Sequence, residues 1–189
     1  MPWILLLSLS LVGAFQNTSS KGGEARGEVL AQLKSRTFYS GDYAFVDDTL
    51  RQEICNIIFT DLVGDFMTAE GIAISDEEVT PLLTIIARNS GQTEVSEFQV
   101  QVARAAVLQW KVNKALYERY GGRVIARQGS PMEPFGAYEA YLREQLAKGT
   151  FRLVDAQVET VFWSRFTNPQ AITVAPEDVD FSKPWWQSN

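Results

Sequence analysis

The chain has 189 residues, 46% of them hydrophobic, and a formal net charge of -6. This length and apolar content suit one domain, or a domain with an appended lobe, built around a hydrophobic core, and they exclude a chain that is disordered throughout. The acidic balance argues against a general nucleic-acid binder, while the lack of His and the single Cys exclude tetrahedral Cys/His zinc sites and remove the usual general base.

Residues 1–15 have the pattern of a secretory signal peptide. The apolar run Ile4–Val12 is too short to span a bilayer comfortably, and small residues follow it. We therefore predict that the mature chain begins between about Gln16 and Lys21, that it is periplasmic or secreted, and that it keeps no stable membrane span. The alternative is a buried apolar segment, because no Lys or Arg precedes Lys21.

Three short features come next. Residues 16–23 are polar and rich in Gly and Ser, which is typical of a linker. Glu24–Ser35 is predicted to form a short helix through its apolar residues. Phe38–Val46 is predicted to form a short strand, because it is rich in aromatic and β-branched residues.

The first long helix is predicted to have one buried face. It begins at Asp47–Thr49, with Thr49 and Gln52 at the spacing of a capping box. Cys55 lies on the apolar face and is expected to be a small buried hydrophobe, since a reactive thiol needs a nearby base or cation. The apolar residues of this face recur every three or four positions: Leu50, Ile54, Ile57, Ile58, Leu62 and Phe66.

The most specific local pattern lies at the junction of the first and second long helices. Gly71 is predicted to end the first helix. Ser75 and Glu78 have the spacing of a capping box and are predicted to begin the second. Pro81 is expected to bend or restart that helix early, and Asn89–Gln92 to end it.

The third long helix is predicted from Thr93 or Ser96 to Tyr120, with Gly121 and Gly122 as its end. Its apolar face is wide, which indicates neighbours on two sides.

A second lobe follows, whose predicted segments are shorter and more mixed than the three long helices. It contains a possible strand at 123–126, a break at 129–131 and a helix over Pro134–Lys148, whereas 151–166 has no clean period and stays open between strand and helix. Residues 167–189 are predicted to form an irregular tail, either docked by its tryptophans or loose. The whole chain is thus predicted to be mainly α, with a signal peptide (1–15), a linker (16–23), a helical domain (24–122) and a smaller C-terminal α/β lobe (123–189).

The order of elements over Gly41–Tyr120 resembles the N-terminal helical domain of SurA-type periplasmic chaperones. In that family a short strand leads into a helix, a loop of the form Gly-Ile-x-Ile-Ser-Asp-Glu opens the next helix, and a longer helix follows. Here the loop is Gly71–Glu77, and the long helix carries Trp110 and Leu116. The resemblance implies a helical domain with a short β element and a function in holding unfolded polypeptides.

The parvulin modules that normally follow this domain in the family are not recognisable here. Residues 141–151 faintly echo the entry of such a module, but the usual histidines and a Gly-Gly-Asp-Leu-Gly segment are missing. We therefore expect no prolyl isomerase activity, no catalytic residues, no metal and no cofactor.

The leading hypothesis is an exported, non-enzymatic chaperone that binds unfolded or partner polypeptides and no nucleic acid. Such a site needs apolar and aromatic side chains on a rigid support with a polar rim. For every candidate the alternative is packing inside the core. The candidate peptide-binding residues are Phe38, Tyr39, Phe45, Trp110, Tyr117 and Tyr120.

Two other hypotheses remain open. An envelope assembly factor would dock on one dedicated partner through Trp163, Trp185 and Trp186. A hydrolase would use carboxylates, of which one must be forced into a dry site that raises its pKa. The candidate carboxylates are Asp47, Asp48, Glu133 and Glu139.

Overall fold

Residues 26–91, 94–127, 130–167 and 171–187 are described by a computed structural model. The predicted signal peptide and linker lie outside these ranges. Within them the chain is mainly α with a few short strands, which confirms the predicted fold class. The helices are α1 (Asp48–Ala69), α2 (Asp76–Ser90), α3 (Glu97–Tyr120), α4 (Phe135–Ala147) and α5 (Ala156–Ser164). The strands are β1 (Val29–Leu33), β2 (Arg36–Tyr39), β3 (Ile125–Arg127), β4 (Ser130–Glu133), β5 (Phe151–Leu153) and β6 (Ile172–Thr173).

The chain divides into two compact units, and each takes segments from both sides of residue 122. The β1–β5 unit contains the described residues of 14–65 and 138–170. The α2–α3 unit contains those of 66–137 and 171–189. This grouping differs from the predicted succession of a helical domain and a C-terminal lobe, because strands and helices distant in sequence pack together.

In the β1–β5 unit, residues 29–33 form a strand where a short helix was predicted. β1 is the centre of an antiparallel sheet in the order β2-β1-β5, so its main chain is paired on both edges. The apolar spacing of this segment is compatible with either structure, and pairing with the distant Phe151–Leu153 favours the strand. The predicted strand over Phe38–Val46 is also shorter, because β2 ends at Tyr39 and a 3-10 turn, Ser40–Asp42, follows.

The core of this unit is built on α1, whose predicted buried face is confirmed. Ile54, Ile58 and Leu62 are fully buried at spacings of four. The capping residue is Asp47, two residues before the predicted Thr49, because the Asp47 carboxylate accepts from the backbone N–H of Leu50 at 2.8 Å. Residues 151–166, for which the sequence left both strand and helix open, contain the strand β5 and the helix α5.

In the α2–α3 unit, local hydrogen bonds set the helix ends as predicted. Ser75 and Glu78 form a complete capping box at the start of α2, and Ser96 forms a second one at the start of α3. Gly71 ends α1 with positive φ, and Gly91 ends α2 in the left-handed conformation. α2 runs without interruption through Pro81, where a bend or a restart was expected.

The same unit contains a three-stranded antiparallel sheet in the order β4-β3-β6. The predicted strand near 123–126 is present as β3. Residues 130 and 131, part of the break predicted at 129–131, belong instead to β4, which pairs with β3. β6 pairs with the opposite edge of β3 and so fixes the chain that leads to residues 176–187.

Candidate functional site

The α2–α3 unit contains an apolar cluster, which we call the tryptophan cluster, with a buried centre and a partly exposed border. Its buried members come from three places: Val79 and Leu82 on α2, Ala103 and Val107 on α3, and Trp186. A larger set of partly exposed apolar residues packs against them. These residues are Ile74, Leu83, Ile85, Ile86, Ala106, Trp110 and Trp185.

The sequence of the two helices explains why they meet along this surface. On α2, Val79, Leu82 and Ile86 share one face, and on α3, Ala103, Val107 and Trp110 share another, at spacings of three or four. The alanines of α3 are small, which leaves room above them for a large ring. Trp186 occupies this room and is 8% exposed.

Residues 181–187, which we call the tryptophan segment, bring Trp186 to the helices. The ring of Phe181 contacts the ring of Tyr117, with centroids 5.0 Å apart. A 3-10 turn over Trp185–Gln187 follows, in which the N–H of Gln187 donates to the carbonyl of Pro184 at 2.8 Å. The Trp186 ring then meets Trp110 edge to face at 6.1 Å.

Several buried donors in and beside this cluster have no acceptor among the described residues. The indole nitrogens of Trp110 and Trp186 are buried and make no hydrogen bond to the residues that the structure describes. The side-chain amide nitrogen of Gln109 is in the same situation. Buried polar groups normally have partners, so the surface is well matched in shape and imperfectly matched in polarity.

Ion pairs border the cluster at the start of α2. Lys111 donates to the Glu78 carboxylate at 2.7 Å and also to the carbonyl of Ala73. Arg104 pairs with Asp76 in the first turn of α2. The Lys111 hydrogen bond, followed by the bond from the Ser75 main chain, lowers the pKa of Glu78. The apolar surface therefore has a charged rim on this side.

Five predicted residues belong to this unit, and the structure brings three of them, Trp110, Trp185 and Trp186, directly together. Trp110 and Trp186 are in ring contact, and Trp185 packs against the same cluster. Tyr117 is half-buried against Phe181, and Tyr120 is half-buried at the end of α3. Of the two alternatives left open for the tail, docked by its tryptophans or loose, the structure has the docked one, and Trp186 is covered by its own chain.

Four predicted residues belong to the β1–β5 unit. Phe38 is 1% exposed and lies in the core, so its ring is not part of a binding surface in this structure. Tyr39 is half-buried under the guanidinium of Arg26, and Phe45 is 70% exposed. Trp163 is half-buried against Phe162 and Phe166, with the Arg143 guanidinium over its ring.

The candidate carboxylates have identifiable structural surroundings. Asp47 caps α1, and Asp48 is exposed and pairs with Arg51. Glu139 pairs with Arg143 at 2.7 Å on α4, whereas Glu133 on β4 is buried. In the described ranges no three His, Cys, Asp or Glu side chains form a group that could hold a metal ion.

Cys55 has the surroundings of an inert thiol. It is fully buried on α1, and its Sγ donates weakly to the carbonyl of Val158 at 3.5 Å. Burial raises the pKa of the thiol to about 11, and the opposing effect of the Arg165 charge is smaller. The thiolate is therefore scarce at neutral pH.

The α2 members of the cluster, among them Leu82 and Ile86, were not among the residues predicted to form a site. The signal available in the sequence was the recurrence of apolar residues along one face of α2. Comparison with protein-family models, curated proteins and solved structures finds no match. Among the described helices, none combines the length and the apolar character needed to cross a bilayer.

Proposed function

We propose that this chain binds extended, unfolded or partner polypeptides on the tryptophan cluster, without catalysis. The observation that carries the proposal is the set of partly exposed apolar residues on α2 and α3 that pack around a small buried centre, with Leu83, Ile86 and Trp110 among them. A rigid pair of capped helices supports these side chains. Such a surface holds a chain through burial of apolar area and does not require a reacting group.

The physical requirements of a holding site are met by different parts of this unit. Burial of the apolar side chains of a polypeptide is favourable by about 25 cal/mol per Å² of apolar surface removed from water. The ion pairs Arg104–Asp76 and Lys111–Glu78 lie at one border of the tryptophan cluster. There they provide the polar rim that such a binding site needs. The proposal agrees with the resemblance to SurA-type chaperones noted in the sequence.

Export is part of the same proposal, supported by the apolar run at Ile4–Val12 in the sequence. Mass spectrometry of the protein recovered from its native compartment tests it directly. We expect a chain that begins between about Gln16 and Lys21. Recovery with Met1 in a cytosolic fraction would remove export from the proposal.

Aggregation of an unfolded outer-membrane protein provides the functional test. The full chain should suppress aggregation, and Ile86→Asp should reduce suppression strongly, since it places a charge in the apolar surface. Ile172→Asp is the matched control, because Ile172 is 72% exposed on β6 of the same unit. A prolyl isomerase assay on the same preparation should give no turnover.

Two results would contradict the proposal. The first is suppression that is equal in Ile86→Asp and the unaltered chain, with both folded by circular dichroism. The second is no suppression at several-fold molar excess of the unaltered chain, which would favour an assembly factor with one dedicated partner.

A further inference from the structure

We infer that the tryptophan segment is a built-in competitor that occupies the polypeptide-binding surface and is displaced by client segments with adjacent aromatic residues. The inference rests on the proposed function and names both the regulation and the partner chemistry of that site. It commits to a segment of the type Pro-aromatic-aromatic that forms a 3-10 turn, because the chain's own Pro184-Trp185-Trp186 lies on the surface with a turn of this kind.

The contacts of the segment show what the surface accepts. Trp186 inserts its ring between α2 and α3, where it packs with Val79 and Val107. Trp185 lies at 87° to Trp186, with ring centroids 5.3 Å apart, and covers the edge of the cluster. The surface therefore accommodates two consecutive large rings that are turned almost perpendicular to each other.

The attachment of the segment is apolar only. Ser182, Lys183 and Gln187 are exposed. Among the residues that the structure describes, no ion pair or side-chain hydrogen bond joins 181–187 to α2 or α3. A ligand held by rings alone, without directional polar contacts, can be exchanged for another that presents similar rings.

The indole donors supply the reason for exchange. We call the arrangement in which the tryptophan segment covers the cluster the closed arrangement. In it, Trp110 Nε1 is buried and has no acceptor among the described residues. A client polypeptide continues beyond the Pro-aromatic-aromatic motif, and one of its further carbonyls can accept from this N–H once the segment has left. A client thus repeats the ring contacts and adds a hydrogen bond that the segment does not make.

Tethering determines how strongly the segment competes. β6 pairs with β3 and holds the chain near the surface, so the segment acts at a high effective concentration. The apparent affinity for a client is then the intrinsic affinity multiplied by the fraction of molecules in which the segment has left the surface. Weakening the segment should raise client affinity without any change in the surface itself.

The test measures binding of a fluorescein-labelled synthetic peptide of residues 181–187 to full-length variants. Trp185→Ala removes a partly buried ring and should tighten peptide binding about tenfold relative to the unaltered chain. Trp186→Ala should tighten it further. Trp163→Ala, a half-buried tryptophan of the β1–β5 unit, is the matched control and should leave the affinity unchanged.

The inference is overturned if folded Trp185→Ala binds the peptide no more tightly than the unaltered chain. If the variants do not fold, hydrogen exchange on the unaltered chain decides. Saturating peptide should accelerate exchange of the Gln187 amide, which is bonded to Pro184 in the closed arrangement. Unchanged exchange of this amide at saturating peptide overturns the inference.

The same variants separate this inference from the proposed function. If Trp185→Ala binds the peptide more tightly but no form suppresses aggregation, the segment is a competitor and the proposed chaperone function is wrong. Suppression that is present in the unaltered chain and does not increase in Trp185→Ala would keep the function and remove the competitor.

Discussion

Lys111 on α3 donates a hydrogen bond of 2.7 Å to the carboxylate of Glu78 on α2. The same carboxylate accepts from the Ser75 N–H at 2.8 Å, so one side chain closes the capping box and joins the two helices. The pair lies beside the tryptophan cluster at the start of α2. Its geometry combines a local motif that the sequence predicts with a tertiary contact 33 residues away.

Replacing Glu78 by Gln isolates the charge, because Gln can still close the capping box. The pKa of Glu78 is lowered in the folded state, so its contribution to stability is present above the ordinary pKa and is lost as the pH falls through the lowered value. The side chain is 41% exposed, so we expect a loss below about 1 kcal/mol in the free energy of unfolding near pH 7.

Urea unfolding at about pH 7 and about pH 3 measures this effect, and the difference between Glu78→Gln and the unaltered chain should be smaller at the lower pH. Glu118→Gln is the control, since its pair with Lys114 is exposed and 3.9 Å long. An equal difference at both pH values would show that charge is not the cause.

Removing the Ser75 hydroxyl should destabilise the start of α2. Ser75→Ala loses the acceptor for the Glu78 N–H and should lower the free energy of unfolding by about 1 kcal/mol. Ser75→Asp keeps an acceptor and should stay close to the unaltered chain. Urea melts compare the three proteins. Identical melts for Ser75→Ala and the unaltered chain would mean that the cap contributes nothing.

Two glycines should respond to Ala in opposite directions. A Cβ on Gly136, in the first turn of α4, would lie 2.3 Å from the backbone nitrogen of Arg123 and 2.9 Å from Gly122. Backbone must then move, and we expect Gly136→Ala to lose about 1–3 kcal/mol. Gly64, within α1, has open space at its Cβ position. Gly64→Ala should stabilise by about 0.5–1 kcal/mol.

Thermal unfolding of both Ala variants tests this pair, because they carry the same chemical change. A lower midpoint for Gly136→Ala with a higher one for Gly64→Ala is expected. Equal shifts of the same sign would contradict the close approach of Gly136 to residues 122–123.

Cys55 should react with iodoacetamide only when the chain unfolds. The side chain is fully buried and its pKa is raised to about 11, so access and thiolate are both limited. At about pH 8, labelling of the native chain should be slow and should become fast in urea. Ser182→Cys is the control, since residue 182 is exposed. Rapid labelling of native Cys55 would contradict its burial.

Sequence predicted the helical part of the fold because its signals are local. The capping box of Ser75 and Glu78 spans one turn, and the stop at Gly71 depends on one residue that adopts positive φ. The buried face of α1 follows from residues three and four apart. In each case the groups that interact are close in the chain, so their spacing contains the information.

Strand assignment was different, because a strand needs a partner. Residues 29–33 have an apolar spacing that fits a helix, and only pairing with Phe151–Leu153 makes them the centre of a sheet. The partner lies more than a hundred residues away. Nothing in the spacing of residues 29–33 identifies it.

The candidate site depended on the same distinction. Trp110 and Trp186 could be selected from the sequence as large aromatic residues, and Phe38 by the same criterion, but burial placed Phe38 in a core and Trp186 against α2 and α3. The sequence by itself determined four of the five described helices, the capped start of α2 and the buried face of α1, because neighbouring residues settle these through single hydrogen bonds and fixed periodicity. Only the tertiary structure decided which apolar faces meet and which rings are covered, because that choice is made by the sum of many weak contacts between distant segments.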